Sequence, residues 1–228
     1  MSVHEYPRVR GEFETVRQLL KGRSLARLGD GELKHLDGKD GGRQAGNESL
    51  KAEMRAVVTT PHADLIVGIP TMDPKGPKYW HRTADGREHG WFRHKARFAA
   101  ALSPHVRYYS AFVTRPDSAP WIDTREFAEL FERVWAGKLV AVVAKRSTKI
   151  LPLAHNAASE VVHIDCPERE AYAEIDRLEA AVVAAAPDVA LLSAGPTATV
   201  LAHRLCKRGI QAIDMGSAGA FLCRLLDA

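Results

Sequence analysis

The sequence predicts an α/β fold in which a mostly parallel sheet is flanked by helices. Short β-rich runs alternate with longer helical patterns along the chain of 228 residues. Several of these runs, LVAVVA and VALLSA among them, are continuously apolar, as strands covered on both faces are. Hydrophobic residues make up 46% of the chain, enough for one sizeable core.

The elements follow in order. A helix is expected over 10–20, a strand over 24–28, a helix over 48–58 and a strand over 64–69. A long irregular stretch runs from 71 to about 89, a length that in a compact domain marks a functional or disordered segment. A helix over 92–102, a strand over 107–113 and a helix over 124–135 come next, then strands over 139–144 and 161–165. A helix is predicted over 168–186, since Pro167 precedes it, acids fill its first turn and Pro187 ends it. The strand 188–193, the helix 198–207 and the strand 211–214 form a compact unit, in which Gly209 after Lys207 and Arg208 stops the helix. A last helix covers 218–226. No linker divides the chain, so 1–228 reads as one domain with a basic, Trp-containing insert at about 71–97.

Composition narrows the function classes. No apolar run approaches the ~20 residues of a membrane span, and the polar start MSVHEYPRVR does not resemble a signal peptide. The expectation is a soluble cytoplasmic protein without stable membrane insertion. Cys166, Cys206 and Cys223 are widely spaced without a CxxC pair, which indicates buried thiols and neither a disulfide framework nor a zinc site. Net charge is +4, and the segment 75–97 alone carries seven Lys/Arg against two acids. Trp80 and Trp91 are interleaved with those charges, so the segment reads either as a solvated face or as a surface for an anionic partner.

Four turns at strand ends carry chemistry. Arg27-Leu28-Gly29-Asp30-Gly31-Glu32 places two carboxylates around a glycine, where two oxygen donors can converge on Mg²⁺ or Mn²⁺. Taken alone, the pattern is as readily an acidic turn or a helix N-terminus. Ser193-Ala194-Gly195-Pro196-Thr197 opens a helix whose free N–H groups, with two hydroxyls nearby, suit an anion or simply cap the helix. Arg115 follows a strand in FVTRPD, and Lys145-Arg146-Ser147 follows LVAVVA. In a parallel sheet these ends share one edge, and together they describe a metal-assisted site for a phosphorylated ligand.

The combination resembles a known family. ARLGDGEL (26–33) is similar to the "RFGDGE" opening of the GT-D-type glycosyltransferases. Further similar segments follow in the same order: LIVGIP (65–70), FVTRP (112–116), WAGKLVAVV (135–143), CPEREAY (166–172) and LLSAGPTATVLAHRLCKRGIQAIDMG (191–216). The resemblance implies a Rossmann-like domain that moves a sugar from a nucleotide-diphosphate-sugar donor, a UDP-sugar by preference, to a glycan hydroxyl. It implies Mn²⁺ or Mg²⁺ on Asp30 and Glu32, with Arg115 facing the reaction centre; Asp117 joins these as a catalytic candidate by its position. Arg27, Gly29, Gly31, Lys145, Ser193, Gly195, Pro196, Thr197 and Asp214 form the donor side. The sequence departs from the family after Val143, where Lys145-Arg146 stand in place of an acid, and after Asp214, where MGSAGAFL replaces an acidic run.

The acceptor is assigned by position to Trp80, His81, Trp91 and Arg93, and the general base to Asp117, Asp73 or His81. Tryptophans among cations also fit an alternative acceptor, DNA carrying a modified nucleobase. A non-catalytic phosphosugar- or nucleotide-binding module is a second alternative. A homodimer is compatible with all three readings.

Overall fold

A computed structural model describes residues 6–71, 95–116 and 118–227. One eight-stranded sheet organises them. The strands are β1 (Val9–Arg10), β2 (Ser24–Arg27), β3 (Leu65–Ile69), β4 (Tyr108–Ser110), β5 (Leu139–Ala144), β6 (Glu160–Asp165), β7 (Val189–Ser193) and β8 (Gln211–Asp214). Their order is β1-β4-β3-β2-β8-β7-β5-β6, and every neighbouring pair is parallel. The expected α/β architecture is therefore observed. The central strands β2, β3, β5, β7 and β8 are buried almost throughout, which explains the continuous apolar character of β3, β5 and β7.

The helices are α1 (Glu12–Leu19), α2 (Asp30–Leu36), α3 (Glu48–Thr59), α4 (Lys95–Ala101), α5 (Arg125–Glu132), α6 (Ile150–Ala157), α7 (Ile175–Ala185), α8 (Pro196–Lys207) and α9 (Ala218–Leu226). α1, α5, α6 and α9 pack together on one face of the sheet, and α2, α3, α4, α7 and α8 on the other. Connections that step toward β1 use the second face and those that step toward β6 use the first, as crossovers of a single hand require. The chain leaves β2 onto the second face and β8 onto the first, and α/β sheets form a crevice beyond the carboxyl ends of such a pair.

Four local differences from the sequence expectation have physical causes. The acidic turn 30–32 opens a helix, α2, because Glu32 at its third position accepts from the Gly29 N–H (2.7 Å) and Leu33 and Leu36 bury behind it. α6 forms despite Pro152, which lies in its first turn where the missing N–H has no helical acceptor. β4 stops at Ser110 instead of 113, since the Ser110 hydroxyl caps a 3₁₀ turn, Ala111–Thr114, by accepting from Phe112 N (3.1 Å). The helix expected from 168 begins only at Ile175, after a 3₁₀ turn, Ala171–Glu174; Glu170 sits in the left-handed region (φ 53°). Its carboxylate is engaged elsewhere, accepting from Ala45 N (3.0 Å) and Gln44 Nε2 (3.0 Å).

Candidate functional site

The carboxyl edge of the sheet carries two cavities side by side. The first, about 250 Å³, lies over the ends of β2, β4 and β8 and is lined by Arg27 to Glu32, Ala111, Phe112, Arg115, Gly216 and Ser217. Its floor is set by Arg27, the last residue of β2. Arg27 Nε donates to Asp214 O (3.0 Å), Nη1 to Ala111 O (3.0 Å) and Nη2 to Asp214 Oδ1 (3.3 Å). One guanidinium thus ties β2 to the ends of β4 and β8. The pair is deeply placed, with side-chain exposures of 14% for Arg27 and 5% for Asp214. Asp214 Oδ1 also accepts from Gly216 N (3.0 Å), and the Thr199 hydroxyl of α8 lies 2.7 Å from Arg27 O. Gly216 is required here: its φ is +49°, and a Cβ would fall 1.8 Å from Arg27 Nη2.

Two further carboxylates line this cavity. Asp30 is exposed and accepts from Gly31 N (3.1 Å) through Oδ1. Glu32 is held back against the Gly29 N–H. Burial raises the pKa of Glu32 above the usual carboxylate range, and the negative charge of Asp214 adds to the shift; Gly29 N–H and Arg27 oppose it. Asp214 is raised for the same first reason, burial, against the pull of Arg27. Burial thus makes both carboxyls hold a proton more readily than exposed ones do.

The second cavity, about 340 Å³, lies over the ends of β5, β6 and β7 and is lined by Lys145, Thr148, Pro167, Ser193, Gly195 and Pro196, with Arg43, Gln44, Glu168 and Glu170 on its outer wall. Gly195 precedes α8 at φ +57° and offers no side-chain cap; Pro196 has no N–H and Ala198 N–H donates to Gly195 O (3.0 Å), so this start brings the helix dipole to the wall more than a row of open N–H donors. Lys145 Nζ donates to Glu168 Oε1 (2.9 Å), which also pairs with Arg43. Gln44 Oε1 accepts from Tyr172 N (3.0 Å), so the segment between α2 and α3 is clamped to the segment after β6. The two cavities meet at β8: Ser193 Oγ donates to Gly216 O (3.3 Å).

The family model described as "Glycosyltransferase GT-D fold" matches residues 25–220, nearly the whole of this architecture. The chain belongs to the GT-D glycosyltransferase family. It is 26% identical over 222 residues to the glycosyltransferase GlyD of Streptococcus pneumoniae serotype 4, covering 91% of this chain and 26% of that protein. It is 25% identical over 222 residues to the probable glycosyl transferase Gly of Streptococcus gordonii, covering 87% of this chain and 30% of that protein. The chain thus spans less than a third of the length of these relatives. Among solved structures, one described as a domain of unknown function 1792 with a distinct glycosyltransferase fold superimposes with a TM-score of 0.81 at 25% identity, covering 98% of this chain and 83% of the other. A new glycosyltransferase (DUF1792) from Streptococcus sanguinis gives a TM-score of 0.79 at 22% identity, covering 97% and 86%.

Within this GT-D chain the expected residues divide into three groups. Arg27, Gly29, Asp30, Gly31, Glu32 and Arg115 line the first cavity, and Lys145, Ser193, Gly195 and Pro196 the second. Asp214 and Thr197 are buried and line neither; Asp214 acts through Arg27. Asp73, Trp80, His81, Trp91, Arg93 and Asp117, with most of the basic insert, lie outside the described residues. Sequence reasoning missed Ala111, Gly216 and Ser217, which the strand-end rule applied to β4 and β8 would have found. It also missed Arg43, Gln44 and Glu170, whose meeting depends on contacts more than 120 residues apart along the chain.

The donor set of the first cavity fits a hard divalent cation. Among the described residues no three His, Cys, Asp or Glu side chains gather as a complete metal cluster. Mg²⁺ and Mn²⁺ do not need one, since one or two carboxylates complemented by phosphate oxygens and water suffice. Asp30 and Glu32 each have one oxygen on a backbone N–H, and a carboxylate has lone pairs for more. Among the described residues no helix is long and apolar enough to cross a membrane.

Proposed function

We propose that this domain transfers a sugar from a nucleotide-diphosphate-sugar donor to a hydroxyl of a glycan, assisted by Mn²⁺ or Mg²⁺. The observation that carries the reading is the adjoining, on one sheet edge, of a cavity that holds Asp30 and Glu32 and a cavity that holds Lys145 beside the start of α8. Asp30 and Glu32 would hold the metal, which when bound offsets the charge of the diphosphate leaving group. Arg115 supplies positive charge from the opposite wall of the same cavity. Lys145 and the uncapped start of α8 offer the neighbouring cavity to the rest of an anionic donor. Arg27 shapes the floor and keeps two of its five N–H donors for a ligand. The acceptor oxygen attacks the anomeric carbon, the bond from that carbon to the diphosphate oxygen breaks, and the hydroxyl proton passes to a base.

The test is a thermal-shift panel of nucleotide-sugars with and without Mn²⁺, followed by chromatography for released nucleoside diphosphate. Cooperative stabilisation by one nucleotide-sugar with metal, and slow donor hydrolysis, are expected. Metal-independent binding with no turnover would instead support a non-catalytic sensor.

A further inference from the structure

β2 is bounded by an arginine at each end, and among the described residues only one of them meets a carboxylate. Arg27 closes the strand at the carboxyl edge against Asp214. Arg23 precedes it at the amino edge, where a separate cavity of about 300 Å³ opens between β2, β3 and β4. We propose that this amino-edge cavity binds the phosphate group of a small molecule.

Four side chains make the case. Arg23 Nη1 donates to Gln18 Oε1 and Tyr109 Oη and Nη2 to Leu65 O, each at 3.3 Å, the long end of the range. Its guanidinium carbon also sits 5.7 Å from the Tyr109 ring centroid. All these partners are neutral, and Arg23 Nε is buried with no partner among the described residues. Arg107, exposed at the start of β4, forms no ion pair among the described residues. His62 Nδ1 lies 3.2 Å from Asp64 N and 3.6 Å from Cys206 Sγ, so among the described residues its Nε2 is the ring nitrogen without a partner. His105 completes the lining, and among the described residues no Asp or Glu is part of it.

The cavity is thus a cationic, donor-rich concavity with no carboxylate of its own. Two guanidinium forks and two imidazoles match a tetrahedral oxyanion, which presents several acceptor oxygens to planar donors. Leu65, Val67 and Val106 add apolar wall, as suits a small molecule carrying the phosphate. The site lies on the opposite edge of the sheet from the acid-lined cavity, with the length of β2 between them.

The experiment is thermal unfolding of the full chain at constant ionic strength, with chloride as reference and about 10 mM inorganic phosphate, pyrophosphate or a hexose monophosphate as probe. A rise in Tm of about 2–4 °C is expected with at least one probe. It should persist in Lys145→Gln and Arg115→Gln and disappear in Arg107→Gln, an exposed position whose replacement leaves the core untouched. Arg23→Gln should act in the same direction. Which probe gives the largest rise distinguishes free phosphate from a phosphorylated sugar. Absence of any rise, or a rise that both Arg107→Gln and Arg23→Gln retain, overturns the assignment. So does protection by a short DNA duplex where no small phosphate protects, since the surface is then a nucleic-acid contact. The nucleotide-sugar response with Mn²⁺ should be intact in Arg107→Gln, so the two sites can fail separately.

Discussion

The two ends of β2 use the same side chain for opposite purposes. At the carboxyl edge Arg27 is locked to the Asp214 carboxylate and two backbone carbonyls, in a cavity whose other charges are Asp30, Glu32 and Arg115. At the amino edge, among the described residues, Arg23 has only neutral partners and the cavity beside it holds no acid. A buried carboxylate changes what an arginine can do. One that a carboxylate claims first shapes a site and keeps few donors for a ligand; one with neutral partners keeps its charge for an anion. The acid-rich cavity accordingly suits a cation together with its anionic ligand, and the acid-free one suits an anion alone.

The sharpest way to break this contrast is to remove the acids. Asp30→Asn and Glu32→Gln should each lower metal-dependent sugar transfer by on the order of 10³-fold, with folding retained. The rate of nucleoside diphosphate release across a Mn²⁺ titration checks it. Full activity of Asp30→Asn at low metal would show that the acids are not the metal seat. Arg27→Met attacks the architecture itself. It leaves Asp214 buried and unpaired, for a loss of about 3–5 kcal/mol in urea unfolding. Arg27→Met/Asp214→Asn should recover a sizeable part of that loss; no recovery would mean that packing, and not the ion pair, holds the floor.

Much of this arrangement was legible in the sequence, and the illegible parts share a cause. The apolar runs of β5 and β7 mark a two-sided sheet, and strand-end chemistry put Arg27, Asp30, Glu32, Arg115, Lys145 and the turn 193–197 at one sheet edge, where the structure divides them between two cavities. What escaped was set by contacts outside the local window. α2 holds only seven residues with a glycine inside, and its existence depends on Glu32 turning back to Gly29 N and on burial of Leu33, His35 and Leu36. Glu170 takes a left-handed conformation, its carboxylate accepting from Gln44 and Ala45 across the second cavity's wall. The amino-edge cavity left no motif at all, since Arg23, His62, His105 and Arg107 come from separate segments.

The cationic character of the amino-side region also predicts a pH response. His203 on α8 is buried, and burial, Lys207 and His62 together depress its pKa to about 4. The folded value lies below the unfolded one, so its contribution is fully present above pH ~6.5 and is lost as pH falls toward about 4. The loss is on the order of 3 kcal/mol at the lower end of that window. His203→Gln should flatten this part of the stability–pH curve by a comparable amount, read by urea unfolding between pH 7 and about 4. An unchanged slope would place the proton elsewhere.

The smallest expected effect tests whether sharing a carboxylate weakens a cation's hold on ligand. Lys145 lines the second cavity, but its ammonium lies 2.9 Å from Glu168, an acid that Arg43 also contacts. Both side chains are about half exposed, so the pair itself adds little to stability. Lys145→Gln should leave unfolding unchanged within about 0.5 kcal/mol and raise the donor KM about 3–10-fold with kcat nearly constant, the signature of lost uniform binding. Glu168→Gln should move KM the other way, because it frees both Lys145 and Arg43 for a phosphate. A rise in KM in both variants would mean that Glu168 itself binds the donor or holds the clamp at Gln44 and Glu170 in place. The paired substitutions therefore distinguish a cation restrained by its partner from one that is merely structural.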